Sequence, residues 1–218
     1  MKIYPQVPEG LVSDWAVSTE RHDPGEKLRP HYHDVEEWLQ VQQGEIRFSS
    51  AGGRDYPLGV GQALRIARGE VHRVEIGPHG VEYRMWIPVA VPEGAFANVL
   101  DDADLTLIQK NLEFPGAEDR GDAGFFEELL SERLMFRTAR GDILRKADFK
   151  SRGFKNQDRS ASDSVRVLHK GANSVLLSTI VSMSGDAGAT QAFTNERLFV
   201  REGTSLKCVV WLNYPERS

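Results

Sequence analysis

The sequence predicts an all-β domain at residues 1–100 followed by an α+β domain at residues 101–218. Three observations favour this division. Short β-favouring runs separated by glycine turns recur about every ten residues as far as residue 91, a spacing typical of antiparallel sandwiches and barrels. The first helical patterns come only after Asp101. Five of the six histidines lie within the first 79 residues, so the two halves are expected to differ in chemistry.

The composition is that of a folded globular protein, with 40% hydrophobic and 27% charged residues in a chain of 218. The formal net charge of −5 and the lack of a basic stretch argue against nucleic acid or a membrane surface as a partner and favour a small molecule. No apolar run approaches the roughly 18 residues of a membrane span, and the first residues lack the apolar core of a secretion signal. Cys208 is the only cysteine, which suits a core thiol in a reducing compartment, so a cytoplasmic location is expected.

Predicted strands fill the first half. They lie at 39–41, 46–48, 63–66, 71–76 and 81–91. Glycine-containing turns divide them, as at Gly44 and at Gly77-Pro78. The pattern therefore indicates an antiparallel sandwich or barrel with no helix of its own.

The second half begins at a boundary near 95 to 105, and its clearest helical signal is amphipathic. Phe125, Phe126, Leu129 and Leu130 repeat at helical spacing with acidic side chains on the other side. A strand at 134–138, a short helix at 146–152 and four further strands then follow, at about 164–169, 174–183, 191–201 and 205–214. This order predicts helices packed on an antiparallel meander.

Four residues of the first half have the spacing of a metal site. Side chains alternate faces along a strand, so His31 and His33 can point to one side and share an ion. Glu37 follows a turn-sized gap and can return on the adjoining strand, while His72 can enter through a turn at Gly69. Three imidazoles and a carboxylate suit a divalent transition ion (Fe, Mn, Ni or Zn) and leave two coordination positions for water, substrate or dioxygen.

The other polar and aromatic residues of this half are assigned more ordinary roles. The three-residue gap after His33 favours Glu37 over Glu36 as the ligand. His22 and His79 have no partner at ligand spacing and are expected on the surface. Five strand residues could line the barrel, although core packing is at least as favoured for each of them: Trp38, Arg47, Tyr83, Met85 and Trp86.

The metal-site residues and their glycines closely resemble the two motifs of the cupin superfamily. The first motif is met by Gly25, His31, His33, Glu37 and Gly44, and the second by Gly61, Gly69 and His72. The second motif departs at Ala67, where proline is usual, and at Ile76, where asparagine is usual. The resemblance covers about residues 15 to 95, and it implies a double-stranded β-helix, or jelly roll, that binds a metal ion.

The second half, over about residues 105 to 215, resembles the nuclear transport factor 2-like superfamily in its SnoaL-like, ketosteroid-isomerase-like branch. The pattern is carried by 125–131, 135–137, 141–142, 146–149, 165–167, 198–201 and 209–211. The resemblance implies a curved antiparallel sheet wrapped over helices as a cone with a pocket. Pro115 interrupts the place of a long first helix, so that element is predicted to be short, kinked or displaced.

Enzymes on such a cone use an acid or base inside it. The candidates in this chain form no recognisable pair in sequence, and they are Asp148, His169, Trp211, Asn213 and Tyr214. A pocket without catalysis, or a dimerisation surface, is therefore favoured for the second half.

Three functional hypotheses follow. The favoured one is a metal-dependent enzyme that oxidises a small organic molecule with dioxygen, in which Glu37 is both a ligand and a candidate catalytic proton acceptor. Isomerisation or hydrolysis at the same metal is also chemically allowed. The alternatives are a non-catalytic protein that senses or stores a small ligand, and an enzyme whose active site lies in the cone. A homodimer is expected because each half offers broad sheet faces to bury.

Overall fold

The computed structural model describes residues 1–10, 15–88, 97–151, 157–184 and 190–216. The chain forms two compact units, Met1–Asp102 and Ala103–Ser218, which are described separately below. Part of the boundary region predicted near 95 to 105 lies outside the described residues, as do the ends of the strand predicted at 81–91 and the helix predicted at 146–152.

Strands are the only regular elements among the described residues of the first unit. Every pairing recorded among them is antiparallel. The sheet has the order β1-β6-β4-β7-β3-β8, with β2 paired to β7 and β5 paired to β4. The strands are β1 (Lys2–Tyr4), β2 (Trp15–His22), β3 (Lys27–Tyr32), β4 (Glu37–Ser50), β5 (Asp55–Leu58), β6 (Ala63–Ile66), β7 (His72–Pro88) and β8 (Asn98–Val99).

Two long strands, β4 and β7, form the centre of this unit, and each unites two runs that the sequence pattern separates. Gly44, which reads as a turn residue, lies inside β4 at φ 77°. A Cβ at this position would collide with the carbonyl oxygen of Gly80 on β7, so only glycine fits the close approach. The register shifts on both sides of this point, and such bulges let a long strand pair bend without ending.

The second unit combines helices with a six-stranded sheet of order β10-β9-β14-β13-β12-β11. Its pairings are antiparallel except that β9 and β14 run parallel. The elements are α1 (Asp102–Arg120), α2 (Ala123–Leu129), β9 (Leu130–Arg137), β10 (Ile143–Leu144), α3 (Lys146–Ser151), β11 (Arg159–Lys170), β12 (Ser174–Ser184), β13 (Thr190–Glu202) and β14 (Ser205–Pro215). The predicted fold class, all-β followed by α+β, is confirmed.

The first helix, predicted from Pro115 to be short, kinked or displaced, is not short. Helix α1 continues through Pro115 to Arg120. A proline has no N–H, so the carbonyl oxygen of Asn111 four residues earlier lacks its helical donor. That oxygen instead accepts from Nη1 of Arg197 on β13, at 3.4 Å. The sheet thus supplies the hydrogen bond that the helix cannot make.

Helix α1 buries one face through Leu107, Ile108, Phe114 and Ala117. None of the helices within the described residues has the length and apolar character needed to cross a membrane.

Candidate metal centre

Three histidines come together at one end of β3 and β7. His31 on β3 lies directly opposite His72, the first residue of β7, and His33 follows the end of β3. The ring centroids are 4.3 Å apart for His31 and His72, 5.0 Å for His31 and His33, and 5.3 Å for His33 and His72. One ring nitrogen from each residue lies within 4.8 Å of the others, a grouping that could hold a metal ion.

Glu37 joins this group from the first residue of β4. Its Oε2 lies 3.4 Å from Nε2 of His33, and the side chain is almost fully buried. The sequence predicts Glu37 on the strand adjoining that of His31, and here the structure differs, because β7 lies between β3 and β4. The structure thus brings the four predicted residues together through β7.

Backbone hydrogen bonds orient two of the imidazoles. The Nδ1 atoms of His31 and His72 lie 2.7 Å and 2.9 Å from the carbonyl oxygens of Arg29 and Glu70. A carbonyl can only accept, so each Nδ1 carries the proton and each Nε2 keeps its lone pair. The turn at Gly69 is held beside the histidines, because the N–H of Gly69 donates to the carbonyl oxygen of His33 at 2.8 Å.

Burial keeps the imidazoles neutral. It lowers the pKa of His31, and burial followed by the charge of His31 lowers the pKa of His33 to about 3. The pKa of fully buried His72 is lowered well below its ordinary value, chiefly by burial. Neutral imidazole is the form that binds metal ions.

The carboxyl group of Glu37 is shifted the other way. Burial, with a smaller contribution from the charge of Glu20, raises its pKa to about 8. A buried carboxylate of this kind requires a proton or a nearby cation to be stable. Nδ1 of His33 is likewise buried, without a hydrogen-bond partner among the described residues. The buried carboxyl group of Glu37 and the unpartnered Nδ1 of His33 therefore fit a bound cation.

The histidines and Glu37 lie on the wall of a cavity of about 500 Å³. Tyr83 and Met85 line it, as two of the five barrel residues considered from the sequence. The other three do not: Trp38 and Trp86 are buried as a directly opposed pair on β4 and β7, and Arg47 pairs with Glu75. Aliphatic and aromatic side chains make up much of the remaining wall, including Val17, Leu28, Phe48, Val74 and Ile87.

His22 is placed differently from its expected surface position. It is half-buried, lines the cavity and lies 3.2 Å from the hydroxyl of Tyr83 through Nε2. A signal for this was present in the sequence, because Ser18, Glu20 and His22 alternate along β2 and all three line the cavity. His79 is exposed, and Glu36 is held away by Arg65 and by Trp38 Nε1, which donates at 3.1 Å.

The candidate residues of the second unit do not form one site. Trp211 Nε1 donates to Asn195 Oδ1 at 2.8 Å, and Asn195 Nδ2 donates to Asn213 Oδ1 at 3.3 Å. Asp148 accepts from the backbone N–H of Arg145 at the start of α3, and His169 is exposed. Burial and a hydrogen bond with Glu196 raise the pKa of Tyr214.

Sequence reasoning missed Arg197, which lies at the centre of this unit. It is fully buried, its Nη1 donates to Asn111 Oδ1 at 2.9 Å and its Nη2 to Asn195 Oδ1 at 3.1 Å. Its guanidinium carbon lies 4.1 Å and 4.7 Å from the ring centroids of Phe114 and Trp211. The strand pattern carried a signal, since Asn195 and Arg197 stand at alternate, inward positions of β13.

The four candidate ligands thus lie close together on an antiparallel β unit. The cupin-like motifs in the first half of the sequence imply this arrangement. Residues 18–83 match the cupin domain family. The match runs from β2 to β7 and includes all four candidate ligands. No curated protein matches the chain.

Several solved structures resemble parts of the chain at low identity. An NTF2-like protein from Cytophaga hutchinsonii is 16% identical over 54% of this chain and 100% of its own, with a TM-score of 0.46. The polyketide cyclase RemF from Streptomyces resistomycificus is 24% identical over 44% of this chain and 67% of its own, with a TM-score of 0.36. The DMSP lyases RdDddP and RnDddQII give 19% identity over 41% of this chain and 45% of the matched chain, with a TM-score of 0.37. At these scores the resemblances carry no argument about function.

Proposed function

We propose that the cupin domain is a metal-dependent enzyme that acts on a small organic molecule held in its cavity. One observation carries the proposal: three neutral histidines and a buried carboxyl group converge on the wall of a cavity of about 500 Å³. That volume falls within the range of roughly 300–1,000 Å³ typical of small-molecule sites.

The proposed ligands are His31, His33, Glu37 and His72. The Nε2 lone pairs of His31 and His72 are fixed by the backbone acceptors on Nδ1, so little reorganisation is needed to bind an ion. A divalent Fe, Mn, Ni or Zn ion suits three imidazoles and one carboxylate, and when bound it would supply Lewis acidity and, for iron, access to dioxygen chemistry. An ion would also favour the charged form of Glu37, which burial disfavours.

The remaining wall residues define what the cavity can hold. Val17, Leu28, Phe48, Val74 and Ile87 offer an apolar surface to the body of a small molecule and exclude water from around it. We assign Glu37 a second role as proton acceptor at its carboxyl oxygen, in addition to binding the ion. We place oxidation by dioxygen first among the reaction classes, followed by metal-assisted isomerisation or hydrolysis.

Metal analysis of the purified protein tests the ligand set. The wild-type protein is expected to bind one divalent ion per chain, and His33→Ala to weaken that binding by roughly 100-fold or more because a four-ligand set loses a donor. His79→Ala is the matched control, since His79 is an exposed histidine of the same unit. A wild-type protein that takes up none of iron, manganese, nickel or zinc contradicts the proposal.

Oxygen uptake with the iron(II)-loaded protein and a panel of small organic molecules tests the reaction. Consumption that depends on both iron and one compound class supports an oxidising enzyme. Tight binding of a compound with no turnover by any of the three reaction classes would instead favour the alternative, a protein that senses or stores a small ligand.

The proposal also covers the role of the second unit, the cellular location of the protein and its oligomeric state. We infer that residues 101–218 form a nuclear transport factor 2-like domain whose role is a pocket or a dimerisation surface. The sequence-based expectations of a homodimer and of a cytoplasmic location belong to this proposal. Light scattering tests the first, and a mass near 24 kDa at micromolar concentration would show a monomer instead.

A further inference from the structure

A chain of hydrogen bonds leads from the cavity to the protein surface on the side formed by β2 and β7. The hydroxyl of Tyr83 lies 3.2 Å from Nε2 of His22, and Nδ1 of His22 lies 3.0 Å from Oε2 of Glu26. The Tyr83 and His22 rings are stacked, with centroids 5.8 Å apart and planes at 10°. Tyr83 is buried, whereas the Glu26 side chain is 41% exposed. The chain therefore joins a buried hydroxyl to a solvated carboxylate.

The chemistry of the three groups fixes the direction of each hydrogen bond. A carboxylate oxygen can only accept, so Nδ1–H of His22 donates to Glu26. The lone pair of a neutral His22 is then on Nε2, and the Tyr83 hydroxyl donates to it. A carboxylate that holds an imidazole in one tautomer, with the other nitrogen facing a hydroxyl, is an arrangement suited to moving a proton.

We propose that Tyr83 exchanges protons with the molecule bound in the cavity and that His22 and Glu26 connect it to solvent. This inference rests on the proposed function, because it assigns further residues to the same cavity. In the step, an acidic O–H or C–H of the bound molecule breaks and its proton joins Oη of Tyr83. The Tyr83 O–H bond breaks at the same time, and its proton joins Nε2 of His22. The bound molecule keeps the electron pair, and the imidazolium is paired with Glu26.

The electrostatics favour passing the proton through Tyr83 over leaving a charge on it. Burial, followed by the charges of Glu37 and Glu20, raises the pKa of Tyr83, so its phenolate is disfavoured. His22 lies between Tyr83 and the partly exposed carboxylate of Glu26, so a proton that leaves Tyr83 moves towards the surface. Tyr83 is thus the residue that contacts the ligand, and His22 and Glu26 act through it as positioning residues.

Nitrogen-15 NMR of histidine-labelled protein tests the relay without any metal or ligand. The His22 signals are expected to show a protonated Nδ1 and an unprotonated Nε2. Glu26→Gln should shift the population towards the other tautomer, and Tyr83→Phe should move the Nε2 resonance. A wild-type His22 protonated on Nε2, or one insensitive to both substitutions, overturns the proposal.

Binding of 4-nitrocatechol to the zinc-loaded protein tests the proton transfer itself, because the visible absorption of this catechol reports its ionisation. In the wild type, the bound catechol is expected to ionise at a lower pH than in Tyr83→Phe or His22→Gln. The expected difference is about one pH unit, which is tenfold in proton concentration. The matched controls are Tyr56→Phe, a buried tyrosine that does not line the cavity, and His79→Gln, an exposed histidine.

The two measurements separate failure of this inference from failure of the proposed function. A protein that binds zinc and the catechol with the same ionisation profile in wild type, Tyr83→Phe and His22→Gln overturns the relay and leaves the metal site standing. A protein that takes up none of zinc, iron, manganese or nickel contradicts the proposed metal site, and the NMR tautomer then decides the relay alone. Circular dichroism of each variant shows whether a change in ionisation comes from loss of the fold.

Discussion

Each unit buries a cluster of polar side chains, and the two clusters differ in the space beside them. In the first unit, His31, His33 and His72 lie on the wall of a cavity of about 500 Å³. In the second, Arg197 has no exposed surface, and its guanidinium lies close to the rings of Phe114 and Trp211. Both clusters contain buried nitrogen atoms without a hydrogen-bond partner among the described residues.

The comparison shows that burial of a polar group is not by itself evidence for a binding site. The histidine cluster holds three ring nitrogens within 4.8 Å of one another, with room for a ligand beside them. In the Arg197 cluster, Nη1 and Nη2 donate to Asn111 and Asn195, and aromatic rings pack on the guanidinium, which helps to stabilise the buried cation. The first arrangement fits a ligand, and the second holds a helix against a sheet.

The largest effect is expected from Arg197→Ala. The substitution leaves the Asn111 oxygens buried without their arginine donor, removes one of the two donors to Asn195 Oδ1 and opens a void between two rings, so the second unit should lose about 3–5 kcal/mol of unfolding free energy. Denaturant titration followed by hydrogen exchange of peptides from this unit measures the loss. Arg201→Ala, at an exposed position of the same strand, should change stability by less than about 0.5 kcal/mol. Equal losses in the two variants would contradict the assigned role of Arg197.

Cys208 reports whether solvent reaches the core around Arg197, because its buried thiol is close enough to Arg197 for the guanidinium charge to act on it. Burial raises the pKa of its thiol from 9.0 to about 12, so the thiolate at pH 8 should be about a thousandfold scarcer than in the unfolded chain. Ellman's reagent should therefore react slowly with native protein and rapidly in denaturant. Because the folded pKa is the higher one, the thiol's contribution to stability is present below pH 9 and is lost as the pH rises towards 12. Rapid reaction of the native protein would show an open path to this cluster.

A matched pair of valines tests the difference in space directly. Val74 lines the cavity of the first unit, and Val165 on β11 is fully buried in the second. Val165→Phe should cost roughly 1–3 kcal/mol because the larger ring overpacks the core. Val74→Phe should cost less, since the ring can enter the cavity. Thermal unfolding of both variants measures the costs, and a larger loss for Val74→Phe would remove the distinction between the clusters.

The hydrogen bond from Arg197 to the Asn111 carbonyl predicts coupling between Arg197 and Pro115. In Pro115→Ala the new N–H can donate to that carbonyl, so losing the arginine should matter less. A double-mutant cycle with Arg197→Met should give a coupling energy of about 1 kcal/mol. If the two changes in unfolding free energy are additive, the Asn111 carbonyl does not rely on Arg197 for a stabilising hydrogen bond.

The smallest effect is expected from separating the halves. Fragments 1–100 and 101–218 are each large enough for a core of their own, so each should fold with nearly the stability that it has in the full chain. Circular dichroism and denaturant titration of the two fragments test this. An insoluble or unstructured 101–218 fragment would mean that the two clusters cannot be compared as separate systems.

The meeting of His31, His33, Glu37 and His72 could be predicted because a local pattern encodes it. Strand alternation relates the first two, and a glycine turn leads into the last. Strand lengths were harder, since Gly44 reads as a turn when considered alone and becomes a bulge only against Gly80 of the partner strand. His22 was missed because its partner Tyr83 is 61 positions away.

The Arg197 cluster shows a different limit of prediction from sequence. Pro115 alone predicts a broken helix, and the donor that rescues the helix is on β13, 86 positions from Asn111. An inward arginine is visible in the strand alternation, but its acceptor appears only when helix and sheet are packed together. Such long-range compensation is outside the reach of local propensity.

The pairing of Pro115 with Arg197 also constrains the order in which the chain could acquire the two residues. A proline introduced first would leave the buried Asn111 carbonyl without a donor, at a cost of about 1–3 kcal/mol. An arginine introduced first would find an acceptor already present, because a carbonyl oxygen has two lone pairs and the helix occupies only one. Once the proline is in place, losing the arginine carries the full cost. Gaining the arginine before the proline is therefore less costly than losing the arginine afterwards, because only the second change leaves a buried carbonyl without a donor.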